Sequence, residues 1–157
     1  MKCVVLSDSH GNWEYMRQAV EREQPDQILH LGDVIRDVPK LAAVIPDIPI
    51  AQVLGNCDLY SGSDLPEERE LLLEGKRIWM VHGHTWWVKS GTRLLAEEAR
   101  TRGVDVVCFG HTHKSLCDRD GSLWILNPGT CQGNPSATYG VIEIEDGRVT
   151  CRVERLR

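Results

Sequence analysis

Short apolar runs alternate with helical periodicity over the first two-thirds of the chain, and turn-punctuated strand runs follow. Residues 2–7 read as a buried strand. In Trp13–Glu23 the side chains Trp13, Met16, Ala19 and Val20 recur at helical spacing, which predicts an amphipathic helix with Asn12 as its N-cap. Residues 27–31 predict a second strand, Val38–Val44 a short helix and residues 50–54 a third strand. Another strand over 77–81 precedes a helix over about 92–101, which Gly103 can terminate, and then a strand over 104–109. Residues 114–118, 123–126, 138–144 and 149–153 read as consecutive strands. Arg119-Asp120-Gly121-Ser122 and Glu145-Asp146-Gly147-Arg148 supply their turns. Glu67-Glu68-Arg69-Glu70 and residues 152–157 read as solvated charge. With no linker, repeat or low-complexity tract, residues 1–157 form one α/β domain with two packed sheets and flanking helices.

At 157 residues the chain is long enough to bury a core without staples. Its net charge of −5 provides no chain-wide basic field, so long nucleic acid is not an expected partner and an anionic substrate must be attracted locally. The opening apolar run, Cys3 to Leu6, is too short for a signal peptide, and no stretch has the length of a membrane span. A cytoplasmic protein without a membrane partner is expected. Six cysteines form no C-x-x-C pair, and Cys3, Cys108 and Cys151 lie in strand runs, so reduced thiols are expected.

Five short islands carry the chemistry: Asp8-Ser9-His10, Gly32-Asp33, Gly55-Asn56-Cys57-Asp58, His82-Gly83-His84 and Gly110-His111-Thr112-His113. Each follows an apolar strand run, and in α/β sheets ligands bind beyond the carboxyl ends of strands. The islands offer seven donors: Asp8, His10, Asp33, Asn56, His82, His111 and His113. In Asp-x-His and His-x-His, alternate residues of an extended segment share a face and can grip one ion. Asp33 can bridge two ions with its two oxygens. Mixed oxygen and imidazole donors suit two divalent ions per chain, whether manganese, iron, zinc, cobalt or nickel. Two such ions carry four positive charges. Asp8 and Asp33 cancel two and a bridging hydroxide a third, which leaves about one to hold a phosphate.

The order Asp-x-His, Gly-Asp, Gly-Asn-x-Asp, His, Gly-His-x-His resembles the calcineurin-like metallophosphoesterase superfamily. The Gly-Asn-Cys-Asp variant, the short length and the turn Asn127-Pro128-Gly129-Thr130 resemble its small bacterial and archaeal phosphodiesterase branch. The resemblance implies a four-layer αββα sandwich of two mixed sheets and a phosphodiesterase that attacks with the bridging hydroxide. It assigns Asp8, His10, Asp33 and His113 to one ion, and Asp33, Asn56, His82 and His111 to the other. Asn56, Asp58 and His84 are the candidate catalytic groups, Asp58 and His84 as supports of the ligands or substrate. Where the protein-phosphatase branch has a histidine, this chain has Cys57, a poor proton donor to a leaving alkoxide. A small phosphoester is the expected substrate. The rivals are a phosphomonoesterase and a non-enzymatic scaffold, since a eukaryotic branch of this fold is a retromer subunit. His30 reads as a satisfied core histidine. Of the adjacent Trp86 and Trp87, one can wall the site and the other meet a second copy in a homodimer, against plain packing for both.

Overall fold

The apolar runs pair into two facing five-stranded sheets in the computed structural model, which describes residues 1–133 and 135–157. In chain order the elements are β1 (Lys2–Leu6), α1 (Trp13–Glu23), β2 (Gln27–His30), α2 (Val38–Val44), β3 (Ile50–Gln52), β4 (Glu68–Leu73), β5 (Lys76–Val81), α3 (Arg93–Arg102), β6 (Val106–Cys108), β7 (Leu116–Asp120), β8 (Leu123–Asn127), β9 (Thr138–Glu145) and β10 (Arg148–Arg155). One sheet runs β10-β9-β1-β2-β3 and the other β4-β5-β6-β8-β7. Within them β1, β2 and β3 are mutually parallel, as are β5, β6 and β8, while β4, β7, β9 and β10 join antiparallel.

Strand periodicity sorts the core into layers. In β1, Cys3 and Val5 point between the sheets, where they meet Ile78 and Met80 of β5 and Val106 and Cys108 of β6. The alternate residues Val4 and Leu6 face Met16, Ala19 and Val20 of α1. On the far side Trp79, Val81 and Val107 pack under Leu95, Ala96 and Ala99 of α3. The result is the four-layer αββα sandwich, with parallel strands between helices and core. Among the described residues no helix is long and apolar enough to cross a membrane. All six cysteines are free, and Cys3, Cys108 and Cys131 are buried.

Three local expectations change. Residues 152–157 are not merely solvated charge, because β10 runs on to Arg155, Arg152 pairs with Glu23 and Glu143, and Leu156 is buried. Glu67-Glu68-Arg69-Glu70 is not merely solvated charge, because β4 begins at Glu68 and pairs with β5 along its whole length. Arg69, Leu71 and Leu73 turn inward while Glu68 and Glu70 face water, so half the strand looks like a charged loop in the sequence. Glu74-Gly75, both at positive φ, close that hairpin. Asn12 does precede α1, but its side chain makes no capping bond and instead donates to the Gln132 carbonyl. Gly103 ends α3 as expected, in the left-handed conformation with its N–H returned to the last turn.

Candidate metal centre

Each donor-bearing loop leaves the carboxyl end of a strand: Asp8 and His10 after β1, Asp33 after β2, Asn56 after β3, His82 after β5, His111 and His113 after β6. The strands are parallel within each sheet, and contacts between the loops bring the two sets of ends to one rim. Asp8 is wholly buried. Its Oδ1 lies 3.1 Å from His113 Nε2, 3.8 Å from His10 Nε2 and 3.9 Å from His82 Nε2. Asp33 Oδ2 lies 3.4 Å from His82 Nε2 and 4.0 Å from His10 Nε2. The Nε2 atoms of His10 and His113 are 3.3 Å apart. Asp8 Oδ1 and His82 Nε2 are buried with no hydrogen-bond partner. His82 Nδ1 is 2.8 Å from the Leu31 carbonyl, which only accepts, so Nδ1 carries the proton and Nε2 presents a lone pair. Two buried acceptors converging without a donor are costly unless a cation lies between them. The residues therefore fit divalent metal.

The donors within reach of one another form two groups, Asp8-His10-His113 and Asp8-Asp33-His82. Asn56 and His111 stand toward the open side: Asn56 is exposed, and the His111 ring centroid is 5.1 Å from that of His82. His84 sits behind them, 5.6 Å from His82 and 6.2 Å from His111 between ring centroids, with Nε2 3.6 Å from Glu67 Oε1.

Backbone geometry differs from what the spacing predicts. Asp8, His10, Asp33, His111 and His113 all have positive φ, so each pair is gathered by left-handed turns rather than by the alternation of a strand. Such residues cost about 1–3 kcal/mol each and persist only where neighbours enforce them. The enforcement is visible. Asp37 Oδ2 accepts from Ser9 Oγ and the Gly11 N–H, both at 2.8 Å, and pins the first loop. The Asp58 carboxylate accepts from the backbone N–H of Asp33 (2.8 Å), Gly55 (2.9 Å) and Ile35 (3.0 Å), and pins the second. Buried Asn127 donates to the Gly110 carbonyl (3.1 Å) and Thr112 Oγ1 (3.0 Å), while Thr130 Oγ1 donates to the Asp8 carbonyl (2.7 Å). A methyl on Gly110 would collide with Ser7 Oγ and lie 2.8 Å from Asp8 Oδ2.

Asp58 touches backbone amides. Two expectations change. Asp33 Oδ1 accepts from the Cys57 N–H at 2.9 Å, which leaves Oδ2 alone to face the cluster. His30 is buried, but it is not satisfied: Nδ1 lies 3.3 Å from the Gly32 amide and Nε2 has no partner. Trp86 packs edge-on against Trp79, at 5.3 Å between centroids, whereas Trp87 stays 71% exposed. Asp37 was missed because a carboxylate just before a helix reads as an ordinary cap.

Electrostatics follow from the crowding. Burial opposes the charge on Asp8, but the His10, His113 and His82 imidazoles crowded around it hold its carboxyl far below the usual range. The Asp8 carboxylate raises His10, while burial and the neighbouring His82 lower His111 to about 4. Burial likewise lowers His30 to about 4. A histidine whose folded pKa is depressed binds fewer protons folded than unfolded. His30 should therefore destabilise the fold progressively as pH falls from about 6.5 to about 4, by up to about 3 kcal/mol. Urea midpoints across this window should fall for the wild type and fall less for His30→Gln. Parallel curves would remove His30 from the acid response.

Comparison with known proteins agrees with this geometry. The family model for the calcineurin-like phosphoesterase superfamily domain matches residues 1–147. The chain is 29% identical over 158 residues to the probable metallophosphoesterase YsnB of Bacillus subtilis, covering 97% of this chain and 89% of that protein. It is 26% identical over 170 residues to the phosphodiesterase YfcE of Escherichia coli K12, covering 91% and 88%. Among solved structures, zinc-complexed Vps29 from Entamoeba histolytica superposes with a TM-score of 0.79 at 21% identity, covering 99% of each chain, a likeness of fold alone. Since the matched span contains every strand whose end carries a donor, the chain belongs to the calcineurin-like phosphoesterase superfamily.

Proposed function

We propose that the chain is a phosphodiesterase acting with two divalent metal ions, manganese first among the candidates. The observation that carries this reading is the convergence of Asp8 Oδ1 and His82 Nε2, 3.9 Å apart, buried and unpartnered, with His10, His113 and Asp33 Oδ2 around them. Asp8, His10, Asp33 and His113 would hold one ion, and Asp33, Asn56, His82 and His111 the other. Divalent ions supply acidified water and neutralise charge on phosphate. The chain's own groups do the rest. The Cys57 N–H fixes Asp33 Oδ1 and so aims Oδ2 inward. Asn56, on the open side, is placed to orient the phosphate. His84 is held below its ordinary pKa by burial and by the neighbouring His82, and offers a neutral imidazole near His111.

Leaving-group protonation is the weak point. Partial desolvation and the Asp33, Asp58 and Asp8 carboxylates push the Cys57 thiol up to about 11, too weak an acid to replace a catalytic histidine near neutral pH. Rates should then depend steeply on the leaving group. Bis-p-nitrophenyl phosphate should be cleaved readily and alkyl monoesters slowly, with the slow end about a hundredfold or more behind. Steady-state kinetics at one pH and one metal check this. A flat series with chemistry rate-limiting would assign the proton to another acid, His84 first. Exhaustive chelation should abolish the reaction and manganese restore it; full turnover without metal would end the proposal. The relatives named phosphodiesterase and metallophosphoesterase support this reading. The likeness to Vps29 keeps a scaffold as the second reading. It would replace the first if no phosphoester were cleaved and a protein partner still bound His111→Ala.

A further inference from the structure

We infer that the substrate carries a second anionic group, held in a pocket that adjoins the metal loop; this rests on the phosphodiesterase reading above. The pocket, of about 520 Å³, lies beside the loop that carries His111 and His113, and Thr112 between those two residues forms part of its wall. Val88 and Phe109, both buried, and Leu116 give it an apolar lining. Lys89 and Lys114 supply two exposed cations, and no carboxylate lines it. Among the described residues Lys89 and Lys114 join no ion pair, nor does Lys76, whereas Lys2 and Lys40 pair with carboxylates. Two cations beside an apolar surface with no carboxylate in the lining, in a chain of net charge −5, suit an apolar body ending in a phosphate.

The pocket wall is also stiff. Thr112 Oγ1 accepts from Asn127 Nδ2 at 3.0 Å and from the Lys114 N–H at 3.2 Å, so one buried asparagine fixes the metal loop and the base of Lys114 together. Lys114 is one residue from His113, and a residue spans at most about 3.6 Å of chain. The pocket therefore starts within a residue or two of a candidate metal donor, which suits a substrate whose second anion is joined to the scissile phosphate by one small carbon skeleton. A nucleoside bridging two phosphates has that size and that apolar face.

Two thymidine esters sharing one leaving group make the test: thymidine 5′-p-nitrophenyl phosphate and the same compound phosphorylated at the 3′ position. The manganese-loaded wild type should favour the 3′-phosphorylated ester by about tenfold or more in kcat/KM, and Lys89→Gln/Lys114→Gln should bring that ratio near one. Lys76→Gln serves as the control, because Lys76 starts β5 at the end opposite His82 and should keep the preference. Equilibrium dialysis of thymidine 3′,5′-bisphosphate against thymidine 5′-monophosphate gives a readout independent of turnover, with the same tenfold preference and the same loss in the double variant. If both esters are cleaved with equal kcat/KM in wild type and double variant alike, the pocket proposal falls and the phosphodiesterase reading stands. If neither ester is cleaved but lysine-dependent bisphosphate binding persists, the phosphodiesterase reading falls and the pocket stands as an anion site. Equal binding of the two nucleotides overturns it.

Discussion

Asp33→Asn is expected to lose most of its bound metal and to lower turnover of bis-p-nitrophenyl phosphate by at least about a hundredfold, a larger loss than His84→Ala gives. The substitution keeps shape and removes charge. The Asn carbonyl can still accept from the Cys57 N–H, now at 2.9 Å, so the loop should hold its course. Its amide group then takes the place of Oδ2, 3.4 Å from His82 Nε2, and donates to the lone pair that a metal needs. One substitution thus removes an anionic ligand and blocks a neighbouring one. His84 has no such double effect, since its nearest charged contact is Glu67. Metal content per chain and kcat, measured on both variants, decide the matter. Two tightly held ions in Asp33→Asn would show that this carboxylate is not shared between them.

Much of this was legible because strand-end chemistry is written locally. Apolar runs gave β1, β2, β3, β5 and β6, and a polar island with candidate donors follows each run. The limits α1 Trp13–Glu23 and α2 Val38–Val44 follow from periodicity and flanking breakers. What stayed hidden depends on partners distant in sequence. β4 was obscured because Glu68 and Glu70 face water and its inward face begins with the stem of Arg69. The left-handed turns at the donors are imposed from outside by Asp37, Asp58, Asn127 and Thr130, none of which contacts its target through neighbouring sequence. The Asn127-Pro128-Gly129-Thr130 turn was visible as a pattern, but only the fold shows that it ties the loops of Asp8 and His111 from opposite sheets.

Asp58→Ala is expected to cost about 3 kcal/mol of stability, since it strands two buried amides and one half-buried amide at about 1–3 kcal/mol each. For a chain of this length that lowers the melting temperature by roughly 6–12 °C. Asp58→Asn should lose less. Its single carbonyl oxygen can take the position of Oδ2, which serves the Asp33 and Gly55 amides, and only the Ile35 amide then goes without. Activity should fall by about ten- to a hundredfold in either variant, the usual loss when a group that holds a ligand is removed. The pH–rate profile separates this from chemistry. A carboxylate that traded protons with substrate would take one limb of the profile with it in Asp58→Asn, whereas one that only holds Asp33 in its left-handed turn leaves the limbs in place and lowers the plateau. Calorimetry and a profile on the same variant suffice. An unchanged melting temperature in Asp58→Ala, or a lost limb in Asp58→Asn, would place Asp58 among the catalytic groups.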